Sequence, residues 1–409
     1  MRPKKVFLVG PPFSGHFHPL LGIGEMLCKQ SDVTVLSTPG AGKSCHLPFR
    51  PILAAHEQAI WEIAEPGKAV KGNPIGLYRQ LKANMALMAD LKKELDTLYE
   101  AEKPDLVIAD FTVPVAGLSA TQLGIPWWTS LVSPCVFETP DGPPAYCGGL
   151  FPPTTRLQHL QHAGLRIATR LFKRVMGRIF RRELRGIGLH GIYHQDGSEA
   201  VYSPQCILAL GLPELEFART YPPHFHFTGP VLHTPVENAP EPHFTTNGRP
   251  HVLISIGTHL PHAKADLAAA VKQMASRQRD IVFHFTHGNA ATQFQHVNDN
   301  YHEYAYISYT QHLPRYDLVV HHGGAGVLNH CLKHGKPAVV FPQDFDQFDH
   351  AARLVATGTA RRIKHMAELE PCILQALKDF ALRERCREVS ALFGKYDAQR
   401  ILTDLLSKI

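Results

Sequence analysis

Several features that would mark a specialised chain are missing from these 409 residues. No stretch of 18 uninterrupted apolar residues occurs, which argues against a membrane-spanning helix. The eight cysteines, at 28, 45, 135, 147, 206, 331, 372 and 386, contain no C-x-x-C pair. Scattered in this way they suit a reducing compartment and exclude a disulfide framework or a zinc ribbon. Charge imbalance is also small: 42 Lys+Arg against 36 Asp+Glu leave +6, too weak for a chain devoted to nucleic acid. Short-period repeats are absent. Arg2-Pro3-Lys4-Lys5 runs directly into Val6-Phe7-Leu8-Val9, too short for a secretory core, so a cytoplasmic location is expected. What remains is an ordinary globular balance, 44% hydrophobic and 19% charged, long enough at about 150 residues per domain for roughly two or three domains. Histidines are numerous, 26 in all, and only position can single out one that works.

Short apolar runs alternate with longer periodic segments, the pattern of an α/β protein with a parallel sheet. Val6–Val9 and Val33–Leu36 read as strands, residues 76–100 as a helix, and Asp105–Ala109 as a strand closed by Asp110. A helix over 114–123 and a strand through Trp127 to Val132 follow. The same grammar restarts at His251–Ile256 and continues with strands at 281–285, 303–307, 317–320 and 337–341. Between the blocks, 230–248 is Pro-rich and polar and reads as a linker. The division expected is 1–229, the linker, 249–390, and a C-terminal helix over 391–409. Residues 156–185 stand apart: nine Lys or Arg oppose a single Glu183, while Leu165, Ala168, Phe172, Val175 and Ile179 share a stripe at helical spacing. Such a helix packs its stripe on its own domain and leaves its cationic face in water, or else makes a peripheral contact with an anionic membrane.

Three places carry the residues for chemistry. The first is the turn after the first strand, Gly10-Pro11-Pro12-Phe13-Ser14-Gly15-His16-Phe17-His18-Pro19, at the carboxyl end where open α/β sheets bind ligands. Pro19 suits the first turn of the following helix, and the imidazole of His16 can take a proton from a hydroxyl. The second is Asp110, at the end of a neighbouring strand, which could orient His16 or simply cap the next helix. The third is His321-His322-Gly323-Gly324-Ala325-Gly326, where a strand gives way to a helix whose N-terminus can hold phosphate. Ile256-Gly257-Thr258-His259 supplies another glycine turn, and Asp344, Asp346 and Gln347 could hold sugar hydroxyls. Pro39-Gly40-Ala41-Gly42-Lys43-Ser44 resembles the end of a Walker loop but lacks its first glycine, that place being Ser37. His16-x-His18 has no third partner, so no metal site is expected.

Taken together, Gly15-His16-x-x-Pro19, Pro104–Asp110, Ser255–Thr258, His321–Gly326, Gly335-Lys336-Pro337 and Asp346-Gln347 resemble the inverting glycosyltransferases of family 1. The resemblance covers nearly the whole chain. It implies the GT-B fold, two Rossmann-like domains with parallel sheets facing across a cleft, donor held mainly by the C-terminal one. It implies His16 as catalytic base with Asp110 as its carboxylate partner. It implies donor contacts from Gly257, Thr258, His322, Gly324, Ala325, Gly326, Val327, Asp346 and Gln347. Counted back from His322 without gaps, Tyr306 falls where many members stack a tryptophan on the base, whereas a register shift of one strand nominates Tyr309. Three positions depart from the family: Val327 replaces a hydroxyl residue, His330 replaces a ribose-binding acid, and His350 replaces an asparagine. UDP-sugar is the expected donor, with dTDP-sugar open because its deoxyribose needs no such acid. The nucleotide-sugar is a co-substrate, and no separate cofactor is expected.

The acceptor expected is a hydrophobic small molecule, met by Phe13, Phe111, Trp127, Phe137 and the Pro-rich loop from Pro140 to Pro153. No nucleic-acid partner is expected. Two other classes fit the same motifs: a catalytically silent auxiliary protein, and an epimerase or hydrolase acting on the donor alone.

Overall fold

The structure, a computed structural model, describes residues 2–64, 74–233, 241–257, 261–289 and 294–409. By its contacts the chain divides into two compact units. The first comprises Met1–Pro144, Pro152–His233 and Asp397–Ile409, the second Ala145–Phe151 and Thr234–Tyr396.

The first unit is built on seven strands: β1 (Lys4–Val9), β2 (Ser31–Ser37), β3 (Phe49–Pro51), β4 (Leu106–Asp110), β5 (Trp127–Leu131), β6 (Ile207–Ala209) and β7 (Phe225–Phe227). They pair in the order β3-β2-β1-β4-β5-β6-β7, all parallel. Covered on both faces, β4 has no exposed position, which is why it reads as an unbroken apolar run. The order reverses at the β1–β4 pair, the topological switch point where such sheets leave a crevice. Helix Ser14–Leu27 returns the chain from β1, its Phe17, Leu20, Leu21, Ile23 and Leu27 buried. The terminal helix Ala398–Leu406 belongs to this unit: Lys4 donates to the Leu406 carbonyl at 2.9 Å and Gln30 to the Thr403 hydroxyl at 2.8 Å.

The second unit repeats the plan with β8 (His251–Ser255), β9 (Val282–Thr286), β10 (Gln295–Asn298), β11 (Tyr301–Tyr304), β12 (Leu318–His321), β13 (Ala338–Val340) and β14 (Ala360–Arg362). Their order is β10-β11-β9-β8-β12-β13-β14, parallel except for the edge strand β10. Here the switch point is the β8–β12 pair. The α/β expectation is met in both halves.

Three differences from the expected layout have physical causes. Residues 145–151 join the second unit because Tyr146 N–H donates to Asp349 at 2.8 Å and Arg362 donates to the Gly148 carbonyl at 3.2 Å. The expected linker is anchored at both flanks: Val231 is buried, with its Cγ1 2.5 Å from where a Cβ on Gly22 would lie, and Phe244 lies under the Arg315 guanidinium at 3.9 Å. Its middle, 234–240, lies outside the described residues. Helix Arg156–Ile179 is turned opposite to the expected packing: Phe172, Val175 and Ile179 are exposed, while Arg170 and Lys173 reach inward to Glu138. No described helix is long and apolar enough to cross a membrane.

Candidate active site

At the first switch point, parallel pairing sets Val9 of β1 beside Ala109 of β4, so the residues leaving the two strands are neighbours. Helix Ser14–Leu27 begins earlier than its sequence suggests. Phe13 takes the N-cap place, His16 falls in the first turn, and Pro19, expected in that turn, lies inside the helix. Asp110, the last residue of β4, is fully buried. Its Oδ1 accepts from Thr112 N–H at 2.9 Å and from the Thr112 hydroxyl at 2.6 Å. Both of its oxygens lie 3.1 Å from Nδ1 of His16. The next helix, Pro114–Gln122, receives no side-chain cap at Val113, so the capping alternative for Asp110 falls away. A nitrogen facing two carboxylate oxygens carries the proton, which makes Nε2 the basic nitrogen of His16.

Aromatic rings surround this pair. The ring of Phe111 lies 5.4 Å from that of His16, and Phe13 meets Trp61 edge-on at 5.4 Å. Trp61 was not among the expected acceptor residues; it sits on helix Glu57–Ala64, distant in sequence from every motif. Trp127 and Phe137, which were, are interior residues, each 3% exposed. Trp127 covers Gly117 so closely that a Cβ there would lie 2.1 Å from its ring, and Phe137 packs on Tyr202 and Phe225 at 5.1 and 5.0 Å. Trp127 is thus taken up by packing, whereas Phe137 also lines a small cavity with Tyr202, Ser203 and His224.

At the second switch point, Ser255 of β8 pairs with His321 of β12, and Gly257 and His322 leave the strands side by side. The imidazole of His322 fills the space between two glycines. A Cβ on Gly257 would lie 2.7 Å from its Cε1, and one on Gly324 would lie 2.4 Å from its Nε2. His321 faces inward instead, fully buried; its Nδ1 accepts from Gly323 N–H at 3.0 Å, and burial pushes its pKa down to about 3. Helix Ala325–Lys333 starts at Gly324 without a side-chain cap. The N–H groups of Ala325, Gly326 and Val327 therefore precede the first helical bond, from Leu328 to Gly324 at 3.1 Å. A Cβ on Gly326 would meet only open space. Val327 can offer only this backbone N–H, since its side chain is 3% exposed in the core with Leu253 and Val319. Thr258 lies outside the described residues, and Tyr306, half-buried, follows β11.

Asp346 and Gln347 are split by the structure. Asp346 is the N-cap residue of helix Gln347–Ala356 and its Oδ2 lies 4.0 Å from Nδ1 of His350. Gln347 is largely buried, and its Oε1 closes its own loop by accepting from Gln343 and Asp344 N–H at 2.8 and 3.1 Å. Between them and Asp344, Phe345 adopts φ 52° with its ring exposed, a left-handed backbone that costs a non-glycine residue about 1–3 kcal/mol. His350, a departure from the family pattern, has its Nδ1 2.8 Å from the Gly323 carbonyl and so holds the glycine loop. His330 is buried beside Tyr309 and His334, with ring separations of 5.7 and 6.4 Å.

Two further groupings bear on expectations. The Walker-like stretch forms a short helix, Pro39–Gly42, whose Gly40 N–H is already taken by the Glu57 carboxylate at 2.7 Å. Glu25, His46 and His233 gather donor atoms within 4.8 Å of one another, a trio able to hold a metal that spacing did not reveal. His233 Nε2 is buried without a hydrogen-bond partner among the described residues. Were Nδ1 a metal ligand, that Nε2–H would lack the acceptor such ligands require. Donation from Nδ1 to Glu25, at 2.8 Å, fits better. His18 turns toward this group, 5.5 Å from His233, and burial pushes its pKa down to about 4.

Comparison with known proteins adds the following. Residues 268–395 match the family model described as "Erythromycin biosynthesis protein CIII-like, C-terminal domain". The chain is 29% identical over 435 residues to 4'-demethylrebeccamycin synthase of Lentzea aerocolonigenes, covering 99% of this chain and 98% of that one. Among solved structures it is similar to the glycotransferase of kitacinnamycin, with a TM-score of 0.74, 21% identity, and 100% and 99% of the two chains covered. It is also similar to the spinosyn rhamnosyltransferase SpnG complexed with thymidine diphosphate, with a TM-score of 0.63, 17% identity, and 98% and 100% covered. The fold is that of these GT-B structures.

Proposed function

We propose that this chain is a glycosyltransferase of family 1, of the macrolide type, a reading supported by its match to the erythromycin CIII-like C-terminal model and its similarity to 4'-demethylrebeccamycin synthase. It moves a sugar from a nucleoside diphosphate sugar to a hydroxyl of a hydrophobic small molecule with inversion, His16 acting as general base. The observation that carries this reading is the buried Asp110 carboxylate, 3.1 Å through both oxygens from Nδ1 of a partly exposed His16.

In this reading Nε2 of His16 takes the acceptor's proton while the acceptor oxygen bonds to the anomeric carbon. The bond from that carbon to the β-phosphate oxygen breaks, and its electron pair leaves with the nucleoside diphosphate. Asp110 stabilises the imidazolium so formed. Charge building on the diphosphate is met by the first-turn amides of Ala325, Gly326 and Val327, by His322 and by Thr258. Asp346 holds donor-sugar hydroxyls, and Gln347, whose carbonyl oxygen is engaged, contributes its amide N–H. Phe13, Trp61 and Phe111 give the acceptor an apolar surround, in keeping with the natural-product name of 4'-demethylrebeccamycin synthase.

A uridine or a thymidine diphosphate would suit the donor loop. His330 favours thymidine, because the place of the ribose-binding acid is filled by a buried imidazole, and SpnG is named with thymidine diphosphate bound. Thermal-shift titration with UDP, dTDP and GDP separates the donors, since a ligand of the native state stabilises it by mass action. The reaction is tested by incubating UDP-glucose and dTDP-glucose with a panel of apolar alcohols and phenols. A β-linked product from each α-linked donor is expected; neither transfer nor donor hydrolysis across the panel would overturn the proposal.

A further inference from the structure

Helix Arg156–Ile179 wears its polarity inside out. Its inner face is ionic: Arg166 donates to the Gly142 carbonyl at 3.0 Å, Arg170 to Glu138 and to the Gly197 carbonyl, and Lys173 to Glu138 and Glu199 at 2.9 and 2.7 Å. Tyr193 adds its hydroxyl to Glu138 at 3.1 Å. These bonds fix the helix on its unit through its cations, leaving the opposite side free. That side carries Leu157, Leu160, Ile167, Leu171, Val175 and Ile179, which recur at 3-, 4- and 7-residue spacing and are 40–77% exposed. A continuous apolar stripe in water is unfavourable, and soluble surfaces seldom keep one without an occupant.

Charge identifies the occupant. Arg156, Arg174 and Arg178 are exposed along the stripe, and Arg181, Arg182 and Arg185 on the short helix Arg181–Gly186 continue the cationic border, with Glu183 the sole acid. The apolar surface extends sideways through Tyr78, stacked at 5.4 Å on Phe180, and through exposed Ile75. Apolar side chains in a row with arginines beside them match the two layers of an anionic bilayer surface, acyl chains below and phosphates above. We propose that this face seats the protein on an anionic lipid membrane, peripherally and without spanning it. The proposal stands apart from the transfer reaction, since it uses none of its residues.

The test uses the full-length protein and vesicles of phosphatidylcholine alone or mixed with phosphatidylglycerol. The wild type should co-sediment with the phosphatidylglycerol vesicles, less so at high salt, and a Leu160→Glu/Leu171→Glu double variant should bind about tenfold or more weakly. Both positions are exposed, so the variant's melting temperature should match the wild type's and separate loss of binding from loss of fold. A Leu171→Trp variant should show a blue-shifted emission with those vesicles beyond that of the wild type. Absence of wild-type sedimentation, or equal sedimentation of wild type and variant, overturns the proposal. So does a wild-type dimer that the double variant converts to monomer, which would assign the stripe to a second copy of the chain.

Discussion

Replacing Asp110 with asparagine probes the proposed base without dismantling its surroundings. Oδ1 of Asp110 holds two donors from Thr112, at 2.9 and 2.6 Å, so the amide oxygen of an asparagine must take that place. Its NH2 then occupies the Oδ2 position and faces Nδ1 of His16, where a carboxylate oxygen stood at 3.1 Å. Two donors cannot face each other, so His16 shifts its proton to Nε2 and can no longer accept one there. Restoring the working tautomer breaks a hydrogen bond, and the imidazolium formed in the reaction loses an ion-pair partner worth about 4 kcal/mol at an effective dielectric near 20. A kcat lower by about three orders of magnitude follows, each 1.36 kcal/mol being tenfold. The donor KM should not move, because the residues proposed to hold the donor belong to the second unit. Nucleoside diphosphate release from UDP-glucose or dTDP-glucose with the best acceptor of the panel gives both constants, and circular dichroism melting verifies the fold. A folded Asp110→Asn protein within about threefold of the wild-type kcat would refute the tautomer argument and the role given to His16.

Other outcomes follow from the same geometry. His16→Ala should lower transfer about 10²–10⁴-fold while dTDP or UDP still raises the melting temperature. Donor hydrolysis that survives the change would point instead to chemistry on the donor alone. Gly324→Ala puts a Cβ 2.4 Å from His322 Nε2, so the imidazole must leave its slot; donor KM should rise at least tenfold with the melting temperature nearly unchanged. Gly117→Ala drives a Cβ to 2.1 Å from the Trp127 ring and should cost about 1–3 kcal/mol, several degrees in the melting temperature of a unit this size. His18 and His321 are held neutral, with pKa values of about 4 and about 3 against 6.5 when unfolded. Their contribution is whole above pH 6.5 and drains away as the pH falls, about 2 kcal/mol each by pH 5, because the unfolded chain binds the protons first. Urea melts should therefore be flat above neutrality and fall below it, and His321→Asn should flatten that acid limb.

Strands long enough to show an apolar run were legible: β1, β4, β8 and β12, the four that carry the switch points, all lie where the hydrophobic runs set them. β3, β6, β7, β13 and β14 have three residues each, too few for a period, and only β13 was anticipated. The resemblance counts Gly257 and Gly324 among the donor contacts, and the structure adds that they house the imidazole of His322. What sequence could not give was the direction of a side chain. Trp127 and Trp61 are the same residue type, yet one is sealed into a parallel strand and the other meets Phe13 beyond the first strand. Burial on a strand flanked on both sides decides the first, and tertiary packing between distant segments the second. Gln347 likewise sits at the expected position but spends its oxygen on two loop amides, a bond between near neighbours that a motif cannot announce.

The helix over 156–179 shows why periodicity alone misleads. Spacing identifies two faces, one apolar and one cationic, and the hydrophobic effect assigns the apolar one to the interior unless something stronger competes. Here the competitor is Glu138, half-buried, whose carboxyl is held below its ordinary range despite desolvation by hydrogen bonds from Arg170 and Lys173. Glu199 lies beside it, pushed upward by burial and opposed by Lys173. Two carboxylates drawn into a low-dielectric corner need cations more than the corner needs leucines, because an unpaired buried charge costs more than an exposed apolar side chain. Arg170 and Lys173 answer that need, and since they share the helix face opposite to the stripe, satisfying them turns the stripe outward. Neither Glu138 nor Glu199 is near the helix in sequence, so the reversal could not be read from it. The exposed apolar face is thus a consequence of ion pairing, and an anionic surface that covers it would remove the conflict without disturbing the pairs beneath.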